Sequence, residues 1–303
     1  MFASLHRELR ALLELFVIPG VTALAPWPIG FRWLRFCSRF SWLYRVEWSM
    51  ALTQAREYVD IGDEALWARQ FRLGRLVDHA DLYLSMTRSD RWMERYVDGW
   101  SHWPGTRHGV VVLLYHWCPG FWVLRAMRHQ GATVSALIAP LTRRSMGEAH
   151  LAYWYGRLRM REIVRVNGQS LIYPEGAIRR LIKMLKSNSP EGQKSWVCGM
   201  PDVPPSAADP GQAVSMFGRQ GFFSTGLVSV ARLAGVPVVS AHMGLELQSG
   251  RRDLAVLGPF EPTDPTLLQQ VVHAWEARIR DRPWGYFLWA ALPALFVQWR
   301  KPA

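Results

Sequence analysis

One stretch decides the fold class of this chain: Gly109-Val110-Val111-Val112-Leu113-Leu114-Tyr115-His116-Trp117-Cys118-Pro119-Gly120-Phe121-Trp122. An uncharged apolar run that ends at a histidine is typical of a buried strand whose carboxyl end lies at the edge of a sheet. Pro119 and Gly120 break the strand, and the residues from Phe121 to Gln130 have the composition of a helix that ends at Gly131. Because open α/β sheets carry their chemistry at this edge, His116 is a candidate catalytic base. The alternative is a core histidine bonded to a backbone carbonyl.

Strands alternate with helices through the following residues, which predicts an α/β fold with a mostly parallel central sheet flanked by helices. The predicted strands are 133–139, 162–166, 196–200, 213–217, 236–241 and 253–257. The predicted helices are 145–159, about 177–186, about 222–234 and 265–280. We therefore divide the chain into an N-terminal helical, membrane-associating region, residues 1–104, and an α/β domain, residues 105–303.

The N-terminal region has helical periodicity from Asp63 to about Met86, and a second helix is predicted from Trp92 to Trp100. The charged positions Asp78 and Asp81, beside His79, are interpreted as a solvated face. No zinc-ligand spacing is present, so no metal is expected.

Three segments suggest contact with a membrane. Residues 1–25 imitate a signal peptide, but Glu8, Glu14 and the Pro19-Gly20 pair interrupt the apolar run, so we expect it to lie in the interface or against the core. From residue 28 to residue 44, aromatic residues alternate with arginines, which fits a membrane-lying helix or an ordinary amphipathic core helix. The apolar residues 284–297 are too few to span a bilayer, and are expected to pack on the core or to enter one leaflet.

The composition points to an anionic partner. The formal net charge is +12 and the sequence pI is about 10.2. The 16 tryptophans favour a membrane surface over nucleic acid, because tryptophan is enriched at membrane interfaces. The three cysteines, Cys37, Cys118 and Cys198, give no disulfide framework, and Cys118 is interpreted as a packed thiol.

Four further blocks follow the histidine in a recognisable order. They are Arg157-Leu158-Arg159-Met160-Arg161, Ile178 to Lys186, Val197 to Asp202 and Val214 to Gly226, which runs into Leu233 to Val239. With His116 they resemble the late acyltransferases of lipid A biosynthesis, a branch of the lysophospholipid acyltransferase superfamily. The resemblance covers about residues 105–298. It implies peripheral or monotopic attachment to the cytoplasmic face of the inner membrane. It also implies transfer of a fatty acyl chain from acyl carrier protein or coenzyme A to a lipid hydroxyl, with no bound cofactor.

In that family a histidine deprotonates the acceptor, and a carboxylate five residues later orients the imidazole. Here His116 matches the base, but Phe121 occupies the position of the acid. The replacement acids considered, in order of preference, are Glu175, Asp202 and a backbone carbonyl. His116 and Glu175 are thus the predicted catalytic residues.

The resemblance also implies substrate-binding residues. Arg157, Arg159 and Arg179 are candidates for binding an anionic head group or the carrier's phosphopantetheine arm. Asp202, and then Phe217, Gly218 and Thr225, match the later landmarks, although a tight strand-to-helix connection would explain the last three equally well. The alternative function is a catalytically impaired, acyltransferase-like lipid-binding protein.

Overall fold

The computed structural model describes residues 2–105, 109–146, 149–186 and 194–299 of the 303-residue chain. Its strands are β1 Val97–Asp98, β2 Val110–Leu113, β3 Ala132–Ala136, β4 Lys194–Gly199, β5 Gln212–Met216, β6 Arg219–Phe223, β7 Val238–Leu245 and β8 Arg252–Phe260. Six of them form a central sheet with the order β1-β8-β7-β2-β4-β3, and β5 and β6 form a separate hairpin.

Helices cover the sheet and form most of the N-terminal third. The α-helices are α1 Phe2–Ala11, α2 Ile18–Val21, α3 Trp27–Cys37, α4 Arg45–Ala55, α5 Glu64–Thr87, α6 Asp90–Glu94, α7 Val123–His129, α8 His150–Asn167, α9 Ala177–Lys186, α10 Gly226–Ala234, α11 Leu267–Asp281 and α12 Leu292–Leu295. A π-helical turn at Leu12–Val17 joins α1 to α2, and short 3-10 turns occur at Thr22–Leu24, Arg144–Met146 and Pro283–Gly285.

The predicted central strand is β2, and all four of its residues are buried. It pairs in parallel with β4 on one side and with β7 on the other. The other parallel pairs are β3 with β4 and β1 with β8, whereas β7 and β8 are antiparallel. The prediction of a mostly parallel sheet flanked by helices is therefore confirmed.

The N-terminal helices share one hydrophobic core with the sheet. Helix α5 begins where the Asp63 side chain accepts a hydrogen bond from Leu66 N, at 2.9 Å, which is an ordinary N-cap. The interpretation of Asp78, His79 and Asp81 as a solvated face is wrong, because all three are buried on α5. Helical periodicity identified the helix but not this face, since charged side chains are buried only where partners from distant segments meet them.

Three other local predictions are corrected. The residues predicted as a strand at 162–166 continue helix α8. The residues from 219 to 223 form strand β6 before the helix, so the helix predicted from about Phe222 begins at Gly226. The helix predicted from Trp92 to Trp100 is the short α6, followed by the edge strand β1. Each error has the same cause: short apolar runs have no decisive period until their partner strand or helix is known.

The C-terminal apolar segment packs against the core. Trp289, Leu292 and Leu295 are buried there, and the Trp289 indole N–H donates to Pro283 O at 2.7 Å. Within the described ranges, no helix combines the length and the apolar character that crossing a bilayer requires.

Candidate functional site

The site is built where β2 and β4 end side by side. Their register places Leu113 opposite Gly199, and His116 and Asp202 each lie three residues further along. The Asp202 carboxylate accepts two hydrogen bonds from His116: one from the backbone N–H, with 2.9 Å between N and Oδ2, and one at the ring, with 2.9 Å between Nδ1 and Oδ1. Asp202 thereby orients both the backbone and the imidazole of His116.

A C-terminal segment fixes the other side of the histidine loop. Phe287 N donates to His116 O at 2.9 Å, and Cys118 N donates to Gly285 O at 2.9 Å. Between them, Trp117 and Tyr286 form an antiparallel bridge. Burial raises the pKa of the Tyr286 hydroxyl, and the neighbouring Asp202 carboxylate raises it further. The loop is therefore held from two directions, which leaves the imidazole little freedom to turn.

The electrostatics favour a basic histidine. Burial lowers the pKa of His116, but the charge and hydrogen bond of Asp202 outweigh burial, so the pKa lies above its ordinary value. About a third of the His116 side chain is exposed, at 33%, while Asp202 is 1% exposed. Because Nδ1 faces the carboxylate, the Nε2 atom is left to accept a proton from a substrate, as in hydrolytic triads.

Phe121 does not lie free beside the histidine. Its ring lies under the Arg159 guanidinium, with 4.9 Å between Cζ and the ring centroid. Arg159 also forms a bidentate ion pair with Asp78, at 3.0 and 3.2 Å. Burial lowers the pKa of Arg159, but Asp78 and Tyr155 more than offset this, so the pKa lies above its ordinary value and the group stays charged. The position expected for an acid thus serves as an aromatic platform for a cation.

Cys118 packs against helix α5. A Cβ atom added at Gly74 would lie 2.8 Å from the Cys118 sulfur, so a larger residue there would force the thiol or the helix to shift. Burial raises the pKa of the Cys118 thiol well above its ordinary value, which suppresses the thiolate. Cys118 is accordingly a packed thiol, as the sequence suggested.

The structure separates the other predicted residues from the His116–Asp202 pair. Glu175 is exposed, and within the described part of the chain no hydrogen bond or ion pair joins it to another residue. Arg179 is exposed on α9, and Arg157 is exposed on the face of α8 opposite Arg159. The geometry therefore favours Asp202 over Glu175 as the partner of His116.

Phe217 and Gly218 form the turn of the β5–β6 hairpin. Both have positive φ, 52° and 72°, as the two central residues of a type I′ turn require. The Phe217 ring packs beside Trp289, with 5.9 Å between ring centroids, and its backbone N–H donates to Glu276 at 2.9 Å. This is a hairpin turn, whereas the sequence had offered a strand-to-helix connection.

Thr225 lies at the start of α10, where Asp209 accepts hydrogen bonds from the backbone N–H groups of Thr225 and Gly226, each at 3.0 Å. Burial raises the pKa of Asp209, but hydrogen bonds, first that of the Ser224 hydroxyl, lower it below its ordinary value. Ser224 N in turn donates to Pro201 O at 3.3 Å, which places this helix start beside the Asp202 loop.

Sequence reasoning gave no functional role to three residues of the site's surroundings: Arg75, Tyr286 and Asp78, the partner of Arg159. Arg75 lies on α5, forms an ion pair with Glu47 at 3.0 Å, and lies 4.7 Å from the Phe287 ring centroid. Its charge, like that of Arg159, opposes protonation of His116. Nothing in the sequence near His116 indicated that α5 and the C-terminal segment would meet there.

Comparisons with known proteins add no family assignment. No protein-family model matches the chain, and no curated protein matches it in sequence. Fold and site together define an α/β protein with a histidine–aspartate pair at the carboxyl edge of a mostly parallel sheet.

Proposed function

We propose that the protein is an acyltransferase that moves a fatty acyl chain from a thioester donor, acyl carrier protein or coenzyme A, to a lipid or glycolipid hydroxyl. The single observation that carries this proposal is the pairing of His116 Nδ1 with the buried Asp202 carboxylate at 2.9 Å. Such a pair fixes the imidazole tautomer and stabilises the imidazolium that forms on proton transfer. The resemblance to lipid A late acyltransferases supplies the reaction class.

The proposed chemistry uses no bound cofactor. His116 Nε2 accepts the proton of the acceptor hydroxyl while the hydroxyl oxygen attacks the thioester carbonyl carbon. The tetrahedral intermediate then collapses, the carbon–sulfur bond breaks, and the thiolate takes the proton back from the imidazolium. An ester and a free thiol result, so protons and electrons balance.

Arg159 is the substrate-binding candidate that best fits this chemistry. It is charged, acts electrostatically on His116, and keeps 25% of its side chain exposed. Since Asp78 already fixes the guanidinium, it needs little reorganisation to stabilise negative charge on an oxyanion or a phosphate.

An exposed aromatic row supports attachment to an anionic inner leaflet. Trp33, Phe36, Phe40 and Trp42 lie in sequence along the surface, with 6.1, 5.4 and 6.4 Å between successive ring centroids. All four rings are exposed. The exposed arginines among them are Arg32, Arg39 and Arg45. Stable peripheral binding requires two signals. Here the aromatic side chains would insert at the membrane interface, and the guanidinium groups would contact the lipid phosphates.

The membrane proposal is tested by flotation with vesicles that contain or lack phosphatidylglycerol. High salt alone should release little protein and detergent should release most, because apolar burial and charge act together. Serine at the four ring positions should abolish flotation. Full recovery of wild-type protein in low-salt buffer without detergent contradicts the proposal.

The catalytic proposal is tested by incubating purified protein with acyl carrier protein or coenzyme A thioesters and a membrane lipid extract, followed by lipid mass analysis. Transfer should require His116 and should disappear in His116→Ala, which should retain the wild-type circular dichroism spectrum. One observation favours the alternative of a lipid-binding protein without catalysis: Phe121 stands at the position where the resembled family has its orienting acid. If wild-type protein transfers no acyl group while binding lipid, that alternative is the correct one.

A further inference from the structure

A surface groove lies along the face of α8 opposite Arg159. It has a volume of about 450 Å³ and runs between α8 and the residues that follow β3 and precede α9. Those two segments are tied together where Ile138 N donates to Ile172 O, at 3.0 Å. The volume lies in the range of about 300–1,000 Å³ that is typical of small-molecule sites.

Two arginines line this groove and lack a counter-charge. Arg157 and Arg161 lie one turn apart on α8, so their side chains emerge on the same face, while Arg159 between them points inward to Asp78. Both are exposed, and neither forms an ion pair with a carboxylate among the described residues. The carboxylate next in sequence, Glu162, is buried and bound to Arg165 and Ser85. Like charges one turn apart repel, so an anion bound between them would relieve a cost already present in the fold.

The remaining lining indicates what kind of anion fits. The tyrosines Tyr153 and Tyr173 contribute hydroxyl groups, and Leu141, Met160 and Leu171 contribute apolar surface. Guanidinium pairs suit phosphate because each can donate two parallel hydrogen bonds. A free phosphate would leave the apolar part of the groove exposed to solvent. We therefore expect a ligand that carries an uncharged chain beside its phosphate.

We propose that this groove is a binding site for an organic phosphate that carries an apolar or amide chain. That chemistry is shared by an anionic phospholipid and by the phosphopantetheine arm of a thioester donor. The site is distinct from the proposed catalytic pair, and its occupancy does not depend on acyl transfer.

The test measures binding without turnover. His116→Ala protein is titrated by calorimetry with dihexanoyl phosphatidylglycerol below its micelle concentration, and separately with coenzyme A. The double variant Arg157→Gln/Arg161→Gln should weaken binding by about tenfold or more, as expected for the loss of charge-assisted hydrogen bonds. Arg91→Gln, which removes an exposed arginine of α6 outside the groove, should leave it unchanged.

Each outcome decides the matter. Specific weakening for the lipid alone assigns a head-group site, weakening for coenzyme A alone assigns a donor site, and weakening for both assigns a general organic-phosphate site. Failure of both probes to bind overturns the proposal, and so does equal weakening in Arg91→Gln, which would reflect net charge only. Leu171→Asp, placed in the apolar floor, should also weaken binding, and a normal affinity there would refute the requirement for an apolar chain. Absence of acyl transfer by the wild-type protein, with intact groove binding, would refute the catalytic proposal alone.

Discussion

Replacing Asp202 by asparagine perturbs one bond in the site while keeping its shape. The carboxylate accepts from both the backbone N–H and the Nδ1 of His116. Asparagine offers one acceptor oxygen and one amide NH₂. If its oxygen keeps the backbone hydrogen bond, its NH₂ faces Nδ1, which must then be unprotonated. The ring proton moves to Nε2, and the atom that should accept the substrate proton becomes a donor.

The expected loss follows from this change of tautomer. The corresponding aspartate-to-asparagine change in a serine protease lowers turnover about 10⁴-fold, and Asp202→Asn should produce the same wrong tautomer of the imidazole. A factor of about 10⁴ corresponds to about 5 kcal/mol of activation free energy. We expect a loss of this order in kcat for acyl transfer, with a smaller change in KM, because Asp202 is 1% exposed and its carboxylate bonds to His116.

The pH profile supplies a second readout. Transfer by a neutral imidazole should rise with pH through the pKa of His116, which Asp202 holds above its ordinary value. Removing the carboxylate charge leaves burial, Arg159 and Arg75 to lower that pKa, so the midpoint in Asp202→Asn should move to lower pH. The assay is initial-rate acyl transfer between pH 5 and pH 9, with the unfolding midpoint measured on each variant.

Glu175→Gln is the matched control, since it makes the same carboxylate-to-amide change at the exposed residue first predicted as the partner acid. Its rate and pH midpoint should equal those of the wild type. Normal transfer by a folded Asp202→Asn together with an inactive Glu175→Gln would refute the reasoning.

Three further results are expected. Phe121→Glu should not accelerate transfer, because the new carboxylate would pair with Arg159 above it and not with the histidine; a tenfold faster initial rate would contradict this. Arg252→Met should lower the unfolding free energy by about 3–5 kcal/mol in urea titrations by stranding the buried carboxylate of Asp81, and the double variant Arg252→Met/Asp81→Leu should recover most of it; no recovery would contradict this. Burial lowers the pKa of His242 to about 4, so the folded protein holds this imidazole neutral. Stability is therefore unaffected by this group above pH 6.5 and falls as the pH drops toward 4, because the unfolded chain takes up the proton first. The wild type should therefore lose about 3 kcal/mol more stability than His242→Phe between pH 7 and pH 4 in urea titrations, and parallel losses would contradict this.

Much of the fold follows from local sequence, because buried parallel strands have an unmistakable composition. The Val110–Leu113 run is apolar at every position, and the Val238–Leu245 strand is buried at every position with Ser240 and His242 as its polar side chains, so both could be recognised without their partners. The 162–166 segment could not, since its short mixture of apolar and polar residues fits one face of a long helix equally well.

The buried charges were the larger failure. Arg252 lies between the Trp27 and Trp122 rings, with 4.3 and 4.1 Å from Cζ to the two centroids, and pairs with Asp81. The rings come from α3 and from the loop before α7, and the acid comes from α5. A charged residue on an amphipathic helix is solvated by default. Its burial becomes favourable only when distant segments bring a counter-charge and aromatic rings to it.

The sequence did not single out Asp202 as the acid that orients His116, because that residue also comes from a distant segment. The same feature makes Asp202 well suited to orient the imidazole. A carboxylate five residues after the histidine belongs to the same local loop, so a motif scan can find it. Asp202 instead follows β4, and its meeting with His116 depends on the register that sets Leu113 opposite Gly199. A shift of that pairing by one residue would turn the side chains of β4 to the opposite face of the sheet. Since the carboxylate also receives the His116 backbone N–H, it ties the two strand ends together and orients the imidazole at once. The aromatic residue at position 121 is then free to support Arg159, and the site retains a base, an orienting acid and a fixed cation without the usual spacing.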